Sequence, residues 1–310
     1  MLNKSGSLLG QKTDPVAQGL SEADLVRFCS EIFPDEQTYR LLVNEARFGL
    51  SRVLPVFSSL ERDRPDVLEV GAGSCILSAY LASKNVRVTA LEPLGPEFGF
   101  FSGVQGRVVD FCQRRGLPFE LVRKTGEQFD TPDRFNIAFT MNALEHMRDP
   151  LLTIDNMYRS LLPGGVLLAH CPNYTVPLEV HFNILLVTRS KSINGWLYRS
   201  KIQKYPSVWD ELNFIRYIDV RRHLERRGWS YTFNKAALHD SIRRLLDDPI
   251  FAQRMPLPVR VIGAILRYTG LIHALGLIPV RLQTPMEVLI KRVDRALEPS
   301  GLGDVGAGVR

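Results

Sequence analysis

The sequence predicts an α/β fold: a Rossmann-like, seven-stranded, mostly parallel sheet with a helical N-terminal extension and helical insertions before the last strands. Three observations carry that reading. Short apolar runs, such as residues 66–70 and 135–140, alternate with segments of helix length, the order that yields right-handed βαβ units and a parallel sheet. The first run ends in Gly71-Ala72-Gly73, a strand-to-helix turn where missing Cβ atoms let a ligand approach the backbone. A length of 310 residues with 45% hydrophobic content suffices for a large core with appendages.

Residues 1–60 form the N-terminal extension. The first twenty residues are polar and broken by Gly and Pro, so they read as a loose lead-in without a signal-peptide core. Residues 21–60 place Leu41, Leu42, Ala46, Leu50 and Val53 at helical spacing. The α/β core follows over 61–172. Its strands are 66–70, 86–91, 119–122, 135–140 and 166–170, with a helix over 75–84. Asp149-Pro150 opens a further helix in the favoured order, N-cap then first-turn proline. Leu151, Ile154, Met157 and Leu161 form its apolar face, and Pro163-Gly164-Gly165 ends it. An insertion covers 173–212. Block 213–239 supplies a helix over 214–227, stopped by Gly228, and a strand over 229–233. Block 240–284 is a second insertion, 285–296 carries the last strand at 286–290, and 297–310 is a flexible tail.

Composition narrows the class. Charged residues make up 23% of the chain, ordinary for a globular protein, and the net charge is +6. That mild excess permits an anionic substrate or a membrane surface and demands neither. Cys29, Cys75, Cys112 and Cys171 are scattered, with no C-x-x-C pair, so neither a zinc site nor a disulfide framework is expected. A reducing, cytoplasmic setting suits them. No uncharged apolar run reaches the length of a spanning helix.

The chemistry begins at the first strand. Two glycines at its end precede a helix whose N-terminal amides face a ligand. Glu92 ends the second strand 19 residues after Gly73, close to the ~20 expected of a carboxylate that accepts from ribose hydroxyls. These features also suit a nicotinamide dehydrogenase. Against it, the third glycine of a dinucleotide fingerprint is replaced by Ile76, and Glu69 would repel a pyrophosphate. A cationic sulfonium nucleoside with an amino-acid tail fits better.

Residues 66–74, Ala90-Leu91-Glu92-Pro93, residues 135–150 and Leu161-Leu162-Pro163-Gly164-Gly165-Val166-Leu167 resemble, in order and spacing, four motifs of class I S-adenosylmethionine-dependent methyltransferases. The small-molecule type is indicated, similar to the ubiquinone-biosynthesis-like O-methyltransferases. The resemblance covers roughly residues 62–172 and implies S-adenosylmethionine as cofactor. By position, Gly71, Ala72 and Gly73 would line its methionine moiety, with Glu69 near the amino group. Glu92 and Pro93 would hold the ribose, Gly126 and Glu127 the adenine, and Asn142 would lie where cofactor and acceptor meet. One departure is Cys75, where many members have a third glycine.

Sulfonium carries its own leaving group, so the protein must chiefly align nucleophile, methyl and sulfur. A hydroxyl acceptor also needs a base. His146, beside Glu145 after the fourth strand, and His181, after the fifth, compete for that role. Relatives with E-x-x-E-H here can bind a divalent ion, but Asn142 replaces the first Glu. One carboxylate and one imidazole are too few ligands, and no metal is predicted.

The D/N-P-P-Y/F signature for exocyclic amines is absent after the fourth strand. The basic helix 221–227 reads as a solvated face, so no nucleic-acid partner is expected. Residues 174–209 and 255–284 are rich in apolar and aromatic side chains, which points to a partly apolar acceptor: a lipid, glycan or natural-product intermediate. Residues 255–284 either cap the acceptor pocket or lie on a bilayer as a peripheral contact. Two other classes stay open, a methyltransferase acting on RNA or protein and a non-catalytic nucleoside-binding module. Oligomeric state is not legible.

Overall fold

The computed structural model describes residues 19–60, 64–93, 99–255 and 257–293, so the expected lead-in before residue 19 and the tail at 297–310 lie outside it. The sheet contains β1 (Asp66–Val70), β2 (Arg87–Leu91), β3 (Phe119–Val122), β4 (Phe135–Met141), β5 (Leu161–Cys171), β8 (Ser230–Phe233) and β9 (Met286–Lys291). Their order is β3-β2-β1-β4-β5-β9-β8. The first five run parallel, while β9 pairs antiparallel with both β5 and β8. The expected architecture is therefore present. Strand order reverses between β1 and β4, and this switch opens a crevice at the strands' carboxyl ends.

The helices account for the two covered faces. On one side lie α1 (Glu22–Ile32), α2 (Glu36–Phe57), α3 (Ile76–Ser83) and α4 (Gly99–Arg114). Ser21 caps α1 by accepting from the Asp24 amide at 3.1 Å. Leu42, Ala46, Leu50, Val53 and Phe57 bury one stripe of α2, the Leu, Val and Phe side chains each contributing roughly 1.5–3 kcal/mol. On the other side, α5 (Pro150–Ser160) and α9 (Tyr217–Arg227) cover Leu68, Ala138, Leu167 and Ile290.

Between β5 and α9 the chain forms a small hairpin, β6 (Leu178–Glu179) and β7 (Ile184–Leu185), then α6 (Lys191–Leu197), α7 (Arg199–Ile202) and α8 (Pro206–Glu211). This insertion has its own core of Tyr174, Phe182, Ile184, Ile202, Trp209 and Leu212. Between β8 and β9 lie α10 (Ala237–Asp247), α11 (Pro249–Arg254) and α12 (Leu257–Tyr268).

Four details correct the sequence reading. Residues 21–60 form two helices, because Phe33 is extended and Pro34 cannot join a continuing helix; Leu41 lies exposed on the second. Helix α4 was not expected. Gly99, Gly103 and Gly106 weaken its helical signal, although Val104, Val108, Phe111 and Cys112 make a buried face. Leu161 belongs not to α5 but to β5, bridging Phe135, and a register shift follows on β4. Helix α9 starts at Tyr217 rather than 214, since Phe214 has a φ of 54°; Gly228 ends it at φ 67° as anticipated.

Candidate active site

The turn after β1 is held from both sides. The Gly71 and Ala72 amides donate to the Leu91 carbonyl at 2.9 and 3.2 Å. Gly71 has a φ of 74°, and a Cβ on it would collide with Ala143. Gly73, at φ 49°, donates its amide to Glu92 Oε2 at 2.8 Å. The Gln105 amide donates to the Gly73 carbonyl, and Arg123 donates to Gln105 Oε1 at 2.5 Å. Cys75 takes the left-handed conformation itself, at φ 60°, so the turn keeps its shape without the third glycine.

Two carboxyl groups face this turn. Glu69 is buried and accepts from the Ser78 hydroxyl. Burial pushes its pKa up to about 8, and the neighbouring Glu92 charge adds to the rise. Farther along, a Cβ on Gly126 would strike Thr153. Asn156 donates to the Gly126 and Glu127 carbonyls, both at 2.9 Å. Glu127 is partly committed elsewhere, accepting from the Asp149 amide at 2.9 Å at the start of α5. Asn142 sits at φ 50° and donates its amide to the His170 carbonyl at 2.8 Å.

A single cavity of about 1710 Å³ takes in Glu69, Gly71, Ala72, Gly73, Glu92, Pro93, Gly126, Glu127 and Asn142. Glu145, His146 and His181 line it as well. The fold thus gathers every sequence-derived candidate around one space. That volume exceeds the roughly 300–1,000 Å³ usual for a ligand pocket.

On the hairpin that follows β5, Glu179 on β6 holds His181, which lines the cavity. Glu179 Oε1 lies 2.6 Å from His181 Nδ1, and the carboxylate accepts the His181 and Phe182 amides at 3.1 and 2.7 Å. Burial opposes its ionisation, yet the bond and charge of His181 with these amides outweigh it and hold the pKa below the usual value. In the sequence, Glu179 reads together with His181 as facing a pocket, but not as the group that holds the imidazole. Its separation of two residues from His181 was the available signal, but only the hairpin turns the two side chains together.

His146 stands edge-on to His181, ring centres 5.0 Å apart. Burial, then the His181 charge, lowers its pKa to about 4, so the ring is neutral. Glu145 is buried, and neither of its carboxyl oxygens receives a hydrogen bond among the described residues. Burial pushes it up to about 7, against a partial lowering by His181. Asn213, just before α9, pins this turn by donating to the Leu144 and Met147 carbonyls at 2.6 and 2.8 Å. Glu145, His146 and His181 each offer a ligand-type atom, all within 4.8 Å of one another. The expectation of too few metal ligands missed His181, which the fold adds from another segment.

A family model described as "Methyltransferase domain" matches residues 43–235. An uncharacterized protein of Mycobacterium tuberculosis is 30% identical over 263 residues, covering 80% of this chain and 85% of that protein. A ubiquinone biosynthesis O-methyltransferase of Paramagnetospirillum magneticum is 27% identical over 162 residues, 52% of this chain and 58% of that one. Among solved structures, phosphoethanolamine N-methyltransferase 2 of Haemonchus contortus, in complex with S-adenosyl-L-methionine, is 12% identical at a TM-score of 0.49, covering 88% of this chain and 60% of that one.

Proposed function

Because this chain belongs to the S-adenosylmethionine-dependent methyltransferases, we propose that it methylates an oxygen of a small, partly apolar acceptor held between α2, the β6–β7 insertion and the cap formed by α10–α12. The observation that carries this reading is His181, which lines the same cavity as the glycine turn and is held from behind by the buried Glu179 carboxylate. When bound, S-adenosylmethionine supplies an electrophilic methyl group with its leaving group attached.

The residues divide the work. Gly71 and Gly73 leave room for the methionine moiety, and Glu92 accepts from the ribose hydroxyls. Glu69, whose charge burial disfavours, would ionise against the ammonium group of the methionine moiety. With Nδ1–H directed at Glu179, His181 presents Nε2 as proton acceptor. Nε2 would take the proton of the acceptor hydroxyl, and neutral His146 would pack beside the resulting imidazolium without repelling it.

The acceptor side is apolar: Leu42, Phe48, Phe182, Val208, Ile242 and Phe251 line it. That lining and the surplus volume support a lipid, glycan-lipid or natural-product intermediate. The basic helix α9 contributes nothing to the cavity, and its Arg221 and Arg227 pair with Glu225 and Asp155, which favours a small acceptor over RNA or protein.

One further observation favours a metal-assisted variant. The buried Glu145 carboxyl, without a hydrogen bond, together with His146 and His181, suits a divalent ion. These three residues would hold it, and it would acidify the acceptor hydroxyl. Chelation separates the two: activity that survives an excess of chelator assigns the base role to His181 alone.

The test of the overall proposal is incubation with methyl-labelled cofactor and a fractionated metabolite extract. A labelled product of small mass, extracted into organic solvent, is expected. Label found only in RNA or protein contradicts it.

A further inference from the structure

The two insertions share a pattern that catalysis does not require. Residues 180–209 contain no Asp or Glu but carry Arg189, Lys191, Arg199, Lys201 and Lys204. Residues 249–286 likewise contain no acidic residue, with Arg254, Arg260, Arg267 and Arg281 as their only charges apart from His273. Both stretches contribute to the cavity wall, through Phe182 and Val208 in the first and Phe251 and Val259 in the second.

Their outer sides are apolar. On α12, Leu257, Val261, Ile265 and Tyr268 follow steps of four, four and three, which places them on one stripe. All four are exposed, Tyr268 at 94%. Gly263, on the opposite side, is buried against Leu245 of α10. The stripe therefore points away from the protein, with Arg260 and Arg267 on its flank at 280–300° of helical rotation from Leu257, taking about 100° per residue. In the turns that follow, Leu277 is 84% exposed, and on α6 of the other insertion Trp196 is 78% exposed. An exposed apolar helical stripe of this kind marks an interaction site in a globular protein. A basic amphipathic helix beside it suits the plane of a lipid head-group layer. Among the described residues no helix is long and apolar enough to cross a membrane.

We propose that this face docks on an anionic lipid bilayer, with the outer stripe of α12 at the head-group boundary and the cavity receiving its acceptor from the lipid phase. The source of the acceptor rests on the function proposed above; the docking does not.

The test uses the full chain and vesicles of phosphatidylcholine alone or mixed with phosphatidylglycerol, separated by sedimentation. Pelleting with the mixed vesicles only, declining as salt is raised, is expected. The triple variant Leu257→Ser, Ile265→Ser, Tyr268→Ser should lose it, and Arg260→Gln should weaken it about fivefold. Circular dichroism confirms that each variant is folded; those four positions are exposed and carry no core packing. No pelleting with either vesicle overturns the proposal, as does equal pelleting with both or retention by the triple variant. A self-association abolished by the triple variant, without vesicle binding, assigns the stripe to a second copy and also overturns it. Loss of cofactor binding is read separately by calorimetry and bears only on the function proposed above.

Discussion

Glu179 Oε1 lies 2.6 Å from Nδ1 of His181, two residues along the chain, and its carboxylate is fully buried. A buried anion held by two backbone amides and an imidazole fixes the ring's tautomer more firmly than a solvent-exposed partner would. Replacing His181 with Gln should lower kcat by about 10²–10⁴ with little change in cofactor affinity. Glu179→Gln should lower kcat less and move the acidic limb of the kcat–pH profile downward, because the imidazolium loses its counter-charge. A profile unmoved by Glu179→Gln would assign that residue a purely structural role.

Gly71 tests the cofactor turn. Alanine there meets both a φ of 74° and the Ala143 side chain, so Gly71→Ala should displace the turn and reduce cofactor affinity at least tenfold, on the order of 1–3 kcal/mol. Calorimetric titration of the variant with S-adenosylhomocysteine checks this. Gly103→Ala on α4, with nothing within 4 Å of the added Cβ, serves as the neutral comparison.

Glu92 should matter for a different reason. Its carboxylate accepts from the Gly73 amide at 2.8 Å and is the group proposed to receive the ribose hydroxyls. Glu92→Ala removes charge-assisted hydrogen bonds worth roughly 1.5–3 kcal/mol, so the dissociation constant should rise about tenfold or more. Adenine alone, which lacks the sugar, should bind wild type and variant equally.

The buried Glu145 gives a pH signature. Burial raises its pKa from 4.5 to about 7 in the folded chain, so the folded state holds the proton more tightly than the unfolded one. That contribution to stability is fully present below the unfolded value of 4.5 and is lost as pH rises to about 7. Glu145→Gln stays neutral throughout. The variant's Tm minus that of the wild type should therefore climb between these limits and level off above them, by about 5 °C. A difference that is flat with pH contradicts the assignment.

How far the sequence could be read depended on how local the signal was. The β1 turn and Glu92 declare themselves because strand, glycines and carboxylate recur at spacings set by one βαβ unit. Helix α4 does not, since its glycines depress the helical pattern that its buried face would otherwise show. Cys75 left the turn's shape open, and only its φ of 60° shows that a non-glycine residue can hold that position. The grouping of Glu145, His146 and His181 was half legible. Two are adjacent in sequence, whereas the third arrives on a separate hairpin whose placement depends on the insertion's own core. Arg52 illustrates the limit: its pairing with Glu287, at 2.6 Å across the length of the chain, joins α2 to β9 and has no local sign.

The most direct measurement is calorimetric titration of the purified chain with S-adenosylhomocysteine, repeated with NADH. Saturable heat with the first, lost in Gly71→Ala and Glu92→Ala, and none with the second is the predicted result. Heat with the nicotinamide compound alone would contradict a sulfonium nucleoside site at the β1 turn.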